Sequence, residues 1–259
     1  MVSQLKQNLK EILPPKMVEL LVSVWELRRY TLVQGPLTYN RDGLATRHNA
    51  DFMNDRRFQE AYHRGKATGS WGQYNIQWRA YIACWAANRA LSLVGDFVEC
   101  GVNRGGLAMA VMHYVNFSNL DRKFYLLDTF CGLAEKYLTD EERHLGITSG
   151  GYEECYESVR STFRGFANVE IIRGMVPDTL PLVNSNRIAY LSIDMNCVEP
   201  EIAAAAYFWD KLVSGAAVIL DDYGWAGHLV QKRAFDQFAQ DHGVQVLQLP
   251  TGQGLIFKP

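Results

Sequence analysis

Residues 96–106 read DFVECGVNRGG, and they decide the fold. A short apolar run, Phe97-Val98, meets an acid, Glu99, and then the glycines Gly101, Gly105 and Gly106. The continuation GGLAMAVMHYV, 105–115, reads as a helix that starts on glycine. Strand, glycine turn and helix in this order make the first half of a βαβ unit. Glycines let a ligand approach the backbone where helix N–H groups are free. Glu99 selects the ligand, because a carboxylate there repels a pyrophosphate. It suits a cationic ligand with an amino group, such as S-adenosylmethionine (SAM). The spacing also departs from GxGxxG, with Asn at 103, which disfavours a nicotinamide-linked dehydrogenase.

Outward from this turn the texture is regular. KFYLLDTF (123–130), NVEIIRG (168–174), RIAYLSID (187–194) and GAAVILDD (215–222) are further short apolar strands. Helical segments stand among them, notably 78–93, 199–212 and 228–242. The chain closes on a strand pair, VQVLQLP and GQGLIFKP. Strands alternating with helices imply an α/β, doubly wound, Rossmann-like sheet, mostly parallel, with an antiparallel C-terminal strand. Residues 1–75 are mixed in texture and read as an N-terminal helical and loop extension for substrate and oligomer contacts; 76–259 form the sheet domain. Within it, the polar connection 131–166 is too long for a passive loop and reads as a lid.

Composition excludes several classes. The 259 residues are 48% hydrophobic with a formal net charge of −2, and no basic stripe points to nucleic acid. No apolar run reaches the roughly 18–20 residues of a membrane span. Residues 17–27, MVELLVSVWEL, suit packing or an oligomer contact better than a membrane surface. The five cysteines are odd in number and lack CxxC spacing, so reduced thiols and a cytoplasmic location are expected.

In such sheets ligands bind beyond the carboxyl ends of the strands. Asp128, at the end of LLDTF, is placed to accept hydrogen bonds from ribose hydroxyls. Asp194 ends one strand and Asp221-Asp222 another. If those strands are neighbours, three carboxylates meet at one rim and need a cation among them; with no His or Cys in the set, Mg²⁺ fits, with Ca²⁺ or Mn²⁺ as alternatives.

Taken together, GDFVECGVNRGG, LLDTFCGL, RGMVPDTLP, SIDMN and AAVILDDYGW resemble the macrocin O-methyltransferase family of class I SAM-dependent enzymes. The resemblance runs from about Tyr30 to the end and is strongest over 95–259. It implies methylation of sugar hydroxyls, SAM contacts at Glu99, Gly101, Gly105 and Asp128, and Arg104 and Phe130 close to the cofactor. It also implies Mg²⁺ held by Asp194, Asp221 and Asp222, and a homo-oligomer.

One position departs. The family pattern is D-x-D, with the second acid taking the proton from the substrate hydroxyl, and here residue 196 is Asn. An amide is no general base. Three readings stay open: metal-assisted ionisation suffices, most easily for a low-pKa phenol or catechol; His228, in DDYGWAGH, serves as base; or the protein binds SAM without methylating a hydroxyl, Asn196 holding the acceptor. Tyr223 and Trp225 are candidate substrate-site residues, while His144 reads as solvated and Cys100 and Cys197 as packing residues.

Overall fold

The computed structural model describes residues 35–259, together with Pro14, Lys16, Met17, Leu20 and Leu21. The apolar stretch 17–27 lies largely outside the described residues, as does the rest of the expected N-terminal extension before residue 35 apart from those five. Two compact units are present. One comprises the described residues up to Asn40 and Ala45–Asn49, the other Arg41–Leu44 and Ala50–Pro259. Two short strands, β1 (Tyr39–Arg41) and β2 (Leu44–Thr46), turn at Asp42-Gly43, where both residues have positive φ.

The larger unit carries α1 (Arg56–Ala67), α2 (Gln77–Ala90), β3 (Asp96–Cys100), α3 (Gly106–Tyr114), β4 (Phe124–Asp128), α4 (Asp140–His144) and α5 (Tyr156–Phe163). It continues through β5 (Val169–Arg173), β6 (Ile188–Ile193), α6 (Val198–Trp209), β7 (Leu212–Leu220), α7 (Leu229–Asp241), β8 (Leu247–Gln248) and β9 (Gly254–Phe257). Helix α1 falls before residue 76, yet Phe58 and Tyr62 on it join the core of this unit.

The sheet order is β5-β4-β3-β6-β7-β9-β8. The first five are parallel, and β9 runs antiparallel between β7 and β8, as the closing strand pair implied. Order reverses between β3 and β6, so the crevice for a ligand opens at the carboxyl ends of these two strands and their neighbours.

Alternation along the strands builds two cores. Phe97, Leu126, Tyr190 and Ile219 face one side, under α2 and α3. Val98, Leu127, Leu191 and Val218 face the other, under α6 and α7. On α2, Ala80, Ala83, Cys84 and Ala87 recur at helical spacing and are buried, which brings this helix close to the sheet. No helix among the described residues is long and apolar enough to cross a membrane.

The connection 131–166 is anchored at two places. Val159 and Phe163 of α5 are core residues. Glu142 of α4 is fully buried; its Oε2 accepts from the Thr139 N–H and hydroxyl at 2.9 and 2.8 Å, and its Oε1 accepts from the Val198 N–H at 2.7 Å. One carboxylate thus completes the capping box of α4 and satisfies an orphan donor at the start of α6. Glu142→Ala is expected to cost about 1–3 kcal/mol by stranding these donors, lowering the melting temperature by several degrees in a calorimetric scan. An unchanged melting temperature would mean that water replaces the carboxylate without loss.

Candidate active site

A cavity of about 580 Å³ opens at the carboxyl ends of β3, β4, β6 and β7. Its wall includes Glu99, Asp128, Asp194, Asp221, Asp222 and Arg79. Five of these six are the strand-end acids singled out in the sequence, brought together because parallel strands end on the same side.

The glycine turn serves packing as much as ligand access. Gly101 has φ +88°, and a Cβ there would lie 1.7 Å from the Asp194 carbonyl oxygen. Only glycine lets the β3 and β6 chain ends pass so closely. Gly105 does not line the cavity; a Cβ there would meet the Phe163 ring at 2.4 Å, so its place is against α5. Arg104 and Phe130 do line it, and Arg104 pairs with Glu153 at 2.8 Å.

Asp128 has a structural duty besides any role toward a ligand. Oδ2 accepts from the Val102 and Asn103 N–H groups at 2.6 and 2.7 Å, and Oδ1 from the Phe130 N–H at 2.6 Å. These three bonds tie the glycine turn to the end of β4. A carboxylate has about four lone-pair sites, so little acceptor capacity remains for a ribose.

Glu99 is different. It is buried, and its Oε2 has no protein partner. Burial pushes its carboxyl well above the usual range; the Ala108 N–H pulls it down, and the charges of Asp128 and Asp221 push it further up. An orphaned, cavity-lining carboxyl of this kind has a ready use for a ligand ammonium.

On the same cavity wall, one oxygen from each of Asp194, Asp221 and Asp222 lies within 4.8 Å of the others. Burial raises the Asp194 carboxyl well above its usual range, and the Asp221 and Asp222 charges add to this. Burial likewise lifts Asp222 to about 6, partly opposed by His228. Asp221 is already engaged. Its Oδ2 accepts from Arg79 Nη1 at 2.6 Å and its Oδ1 from Gln253 Nε2 at 2.9 Å. Asp222 Oδ2, in contrast, is buried with no partner. The donor set, all oxygen with one orphan among them, suits a hard divalent cation.

Asn196 stands on the cavity wall with φ 57°, and its Nδ2 donates to Asp194 Oδ1 at 3.2 Å. His228 is off the cavity wall, at the start of α7, with Nε2 4.0 Å from Asp222 Oδ1. Its Nδ1 lies 2.7 Å from Gln231 Nε2, an arrangement that leaves the buried Gln231 Oε1 without a partner. Turning that amide puts Oε1 on an Nδ1–H and leaves the Nε2 lone pair of His228 free.

Three participants escape a reading of the sequence: Arg79 on α2, Asp42 at the β1–β2 turn, and Gln253 before β9. A signal existed for Arg79. It is in helical register with Ala83, Ala86 and Ala90, all buried, so a charge stands on an apolar stripe.

The sheet order, the switch point and the acid-lined crevice define the class I methyltransferase fold. The chain belongs to the macrocin-O-methyltransferase (TylF) family, which it matches over residues 38–248. Among curated proteins it is 29% identical over 138 residues to the Streptomyces olivaceus 8-demethyl-8-(2,3-dimethoxy-alpha-L-rhamnosyl)-tetracenomycin-C 4'-O-methyltransferase, a match covering 50% of this chain and 53% of that protein. The match therefore spans about half the length of this relative. Among solved structures, the O-methyltransferase NovP superposes with a TM-score of 0.59 at 22% identity, covering 70% of this chain and 79% of that one. The SAH-bound Podospora anserina methyltransferase PaMTH1 gives 0.51 at 13% identity, covering 88% of this chain and 100% of that one.

Proposed function

We propose that the chain is a SAM-dependent O-methyltransferase whose acceptor is a hydroxyl of a sugar or glycosylated natural product, with a divalent ion, Mg²⁺ by its oxygen donors, at Asp194, Asp221 and Asp222. One observation carries this reading: a single cavity is lined both by Glu99, whose Oε2 has no partner, and by a triad of acids of which Asp222 Oδ2 has none. The family and its rhamnoside-methylating relative support the acceptor class.

Glu99 binds the amino group of SAM, and Gly101 with Arg104 and Phe130 shape the wall around it. Asp128 keeps the turn in place. SAM supplies its methyl group by in-line displacement at the sulfonium carbon. A divalent ion, when bound, supplies Lewis acidity that lowers the pKa of the acceptor hydroxyl. Asn196 orients the acceptor by hydrogen bonding, and His228 receives its proton, held by Gln231. The amide at 196 also favours a second acceptor class, phenols or catechols, which ionise more readily than sugars.

The test is titration calorimetry with S-adenosylhomocysteine (SAH), followed by turnover on a rhamnoside and on a catechol with and without chelator. Tight SAH binding with chelator-sensitive rhamnoside turnover supports the proposal. SAH binding with no turnover on either acceptor points to a non-catalytic SAM-binding protein.

Glu99→Gln separates binding from stability. The raised carboxyl favours the folded state below the ordinary pKa, and this advantage is lost as pH rises toward its folded value. At pH 8 the variant is therefore expected to melt a few degrees higher than wild type. Its SAH affinity should fall about 10–100-fold, the worth of a charge-assisted hydrogen bond. Unchanged affinity would remove Glu99 from the cofactor site.

A further inference from the structure

We propose that Arg79 is a built-in counter-cation of the acid triad and, together with Asp42, sets how tightly a divalent ion binds there. This rests on the metal reading above.

The geometry is a shared fork. Arg79 Nη1 donates to Asp221 Oδ2 at 2.6 Å, while Nε and Nη2 donate to Asp42 Oδ2 and Oδ1 at 2.8 and 3.1 Å. The Arg79 side chain is 18% exposed, and those of Asp42 and Asp221 are 7% and 2% exposed. The Trp225 ring sits 5.5 Å from the guanidinium carbon and shields it further. Burial weakens the charged form of Arg79, but Asp221 and Asp42 more than restore it. A guanidinium does not shed its proton in any case. A fixed positive charge therefore stands permanently at the triad.

Two opposite effects could follow. As an outer partner of a ligand carboxylate, Arg79 could orient Asp221 and so strengthen metal binding. As a cation hydrogen-bonded to one of the triad carboxylates, it would repel an ion held there. Orientation is already provided twice over. Asp221 follows directly on β7, and Gln253 holds its Oδ1. Among the described residues no second permanently charged cation pairs with the triad, so repulsion dominates. Asp42 moderates it by taking two of the three hydrogen bonds of the fork and bringing a compensating negative charge. The hairpin turn thereby reports to the metal site, and the pair keeps the bound ion exchangeable.

The probe is Mn²⁺ alone, followed by electron paramagnetic resonance and calorimetry on the full chain, with thermal melts to establish folding. Arg79→Met is expected to bind Mn²⁺ at least about tenfold more tightly than wild type, and Arg79→Gln, which keeps a donor without the charge, should shift the same way. Asp42→Asn should bind it several-fold more weakly, because the guanidinium is then left to Asp221 alone. A purely orienting Arg79 predicts the reverse for both arginine variants, about 10–100-fold weaker, and that result overturns the proposal. So does Mn²⁺ affinity equal to wild type in a folded arginine variant. If neither wild type nor any variant binds Mn²⁺ at millimolar concentration, the metal reading itself fails, and this inference fails with it.

Discussion

Asp194→Ala and Asp222→Ala are each expected to lower methyl transfer by at least about 10²-fold while leaving SAH affinity within a few-fold of wild type. Asp222 Oδ2 is buried and unpartnered, and the Asp194 carboxylate accepts one hydrogen bond, from Asn196. These two acids have the most capacity left for a cation, whereas both oxygens of Asp221 already accept. Even outer partners of metal ligands are worth about 10–100-fold, so loss of a ligand should exceed that range. Asp221→Ala should cost less in ion binding and more in stability, since it strands the Arg79 fork and the Gln253 amide. The melting temperatures guard against a trivial explanation. Asp194→Ala removes one of three mutually repelling carboxyl groups and should leave the protein as stable as wild type or more so. Full turnover in Asp194→Ala, with Mn²⁺ binding intact, would place the ion elsewhere or dispense with it.

Much of this site is legible in the sequence because its acids sit at strand ends, and strand ends announce themselves. SIDMN and ILDDYG each show an apolar run stopping at a carboxylate, and the parallel pairing of β6 with β7 then puts Asp194 beside Asp221. The sheet class followed from the same alternation of strands and helices. What stayed hidden is what depends on tertiary approach. Arg79 meets Asp221 across 142 residues of sequence, and no local pattern encodes that distance. Gly105 reads as a ligand-cradling glycine in sequence, and only the fold reveals the Phe163 ring packed against it. Asp128 reads as a ribose acceptor, and only the folded turn reveals three backbone N–H groups converging on it. Local periodicity places the walls of a cavity; the side chains that cross it come from helices and turns whose register the pattern leaves open.

The second large effect concerns the proton. If His228 receives it, His228→Ala should cost about 10²–10⁴ in turnover on a sugar hydroxyl, the range for a positioned base, and leave SAH and Mn²⁺ affinity nearly intact. The geometry makes this demanding, since His228 does not line the cavity and its Nε2 stands 4.0 Å from Asp222 Oδ1. The imidazole must reach an acceptor bound in the cavity, and the Gln231 amide must present Oε1 to Nδ1–H for Nε2 to accept. A catechol, ionising more easily, should lose less in the same variant. Asn196→Asp provides the counter-test, for it places a carboxylate on the cavity wall where the family carries its base. In that background His228→Ala should matter little on either acceptor. The two substitutions would then be strongly non-additive, as expected for groups competing for one role. Should His228→Ala alone retain full turnover on a rhamnoside, the histidine is only a neighbour of Asp222. Proton loss directly to solvent would remain, and Asn196→Asp should then accelerate the reaction with no dependence on residue 228.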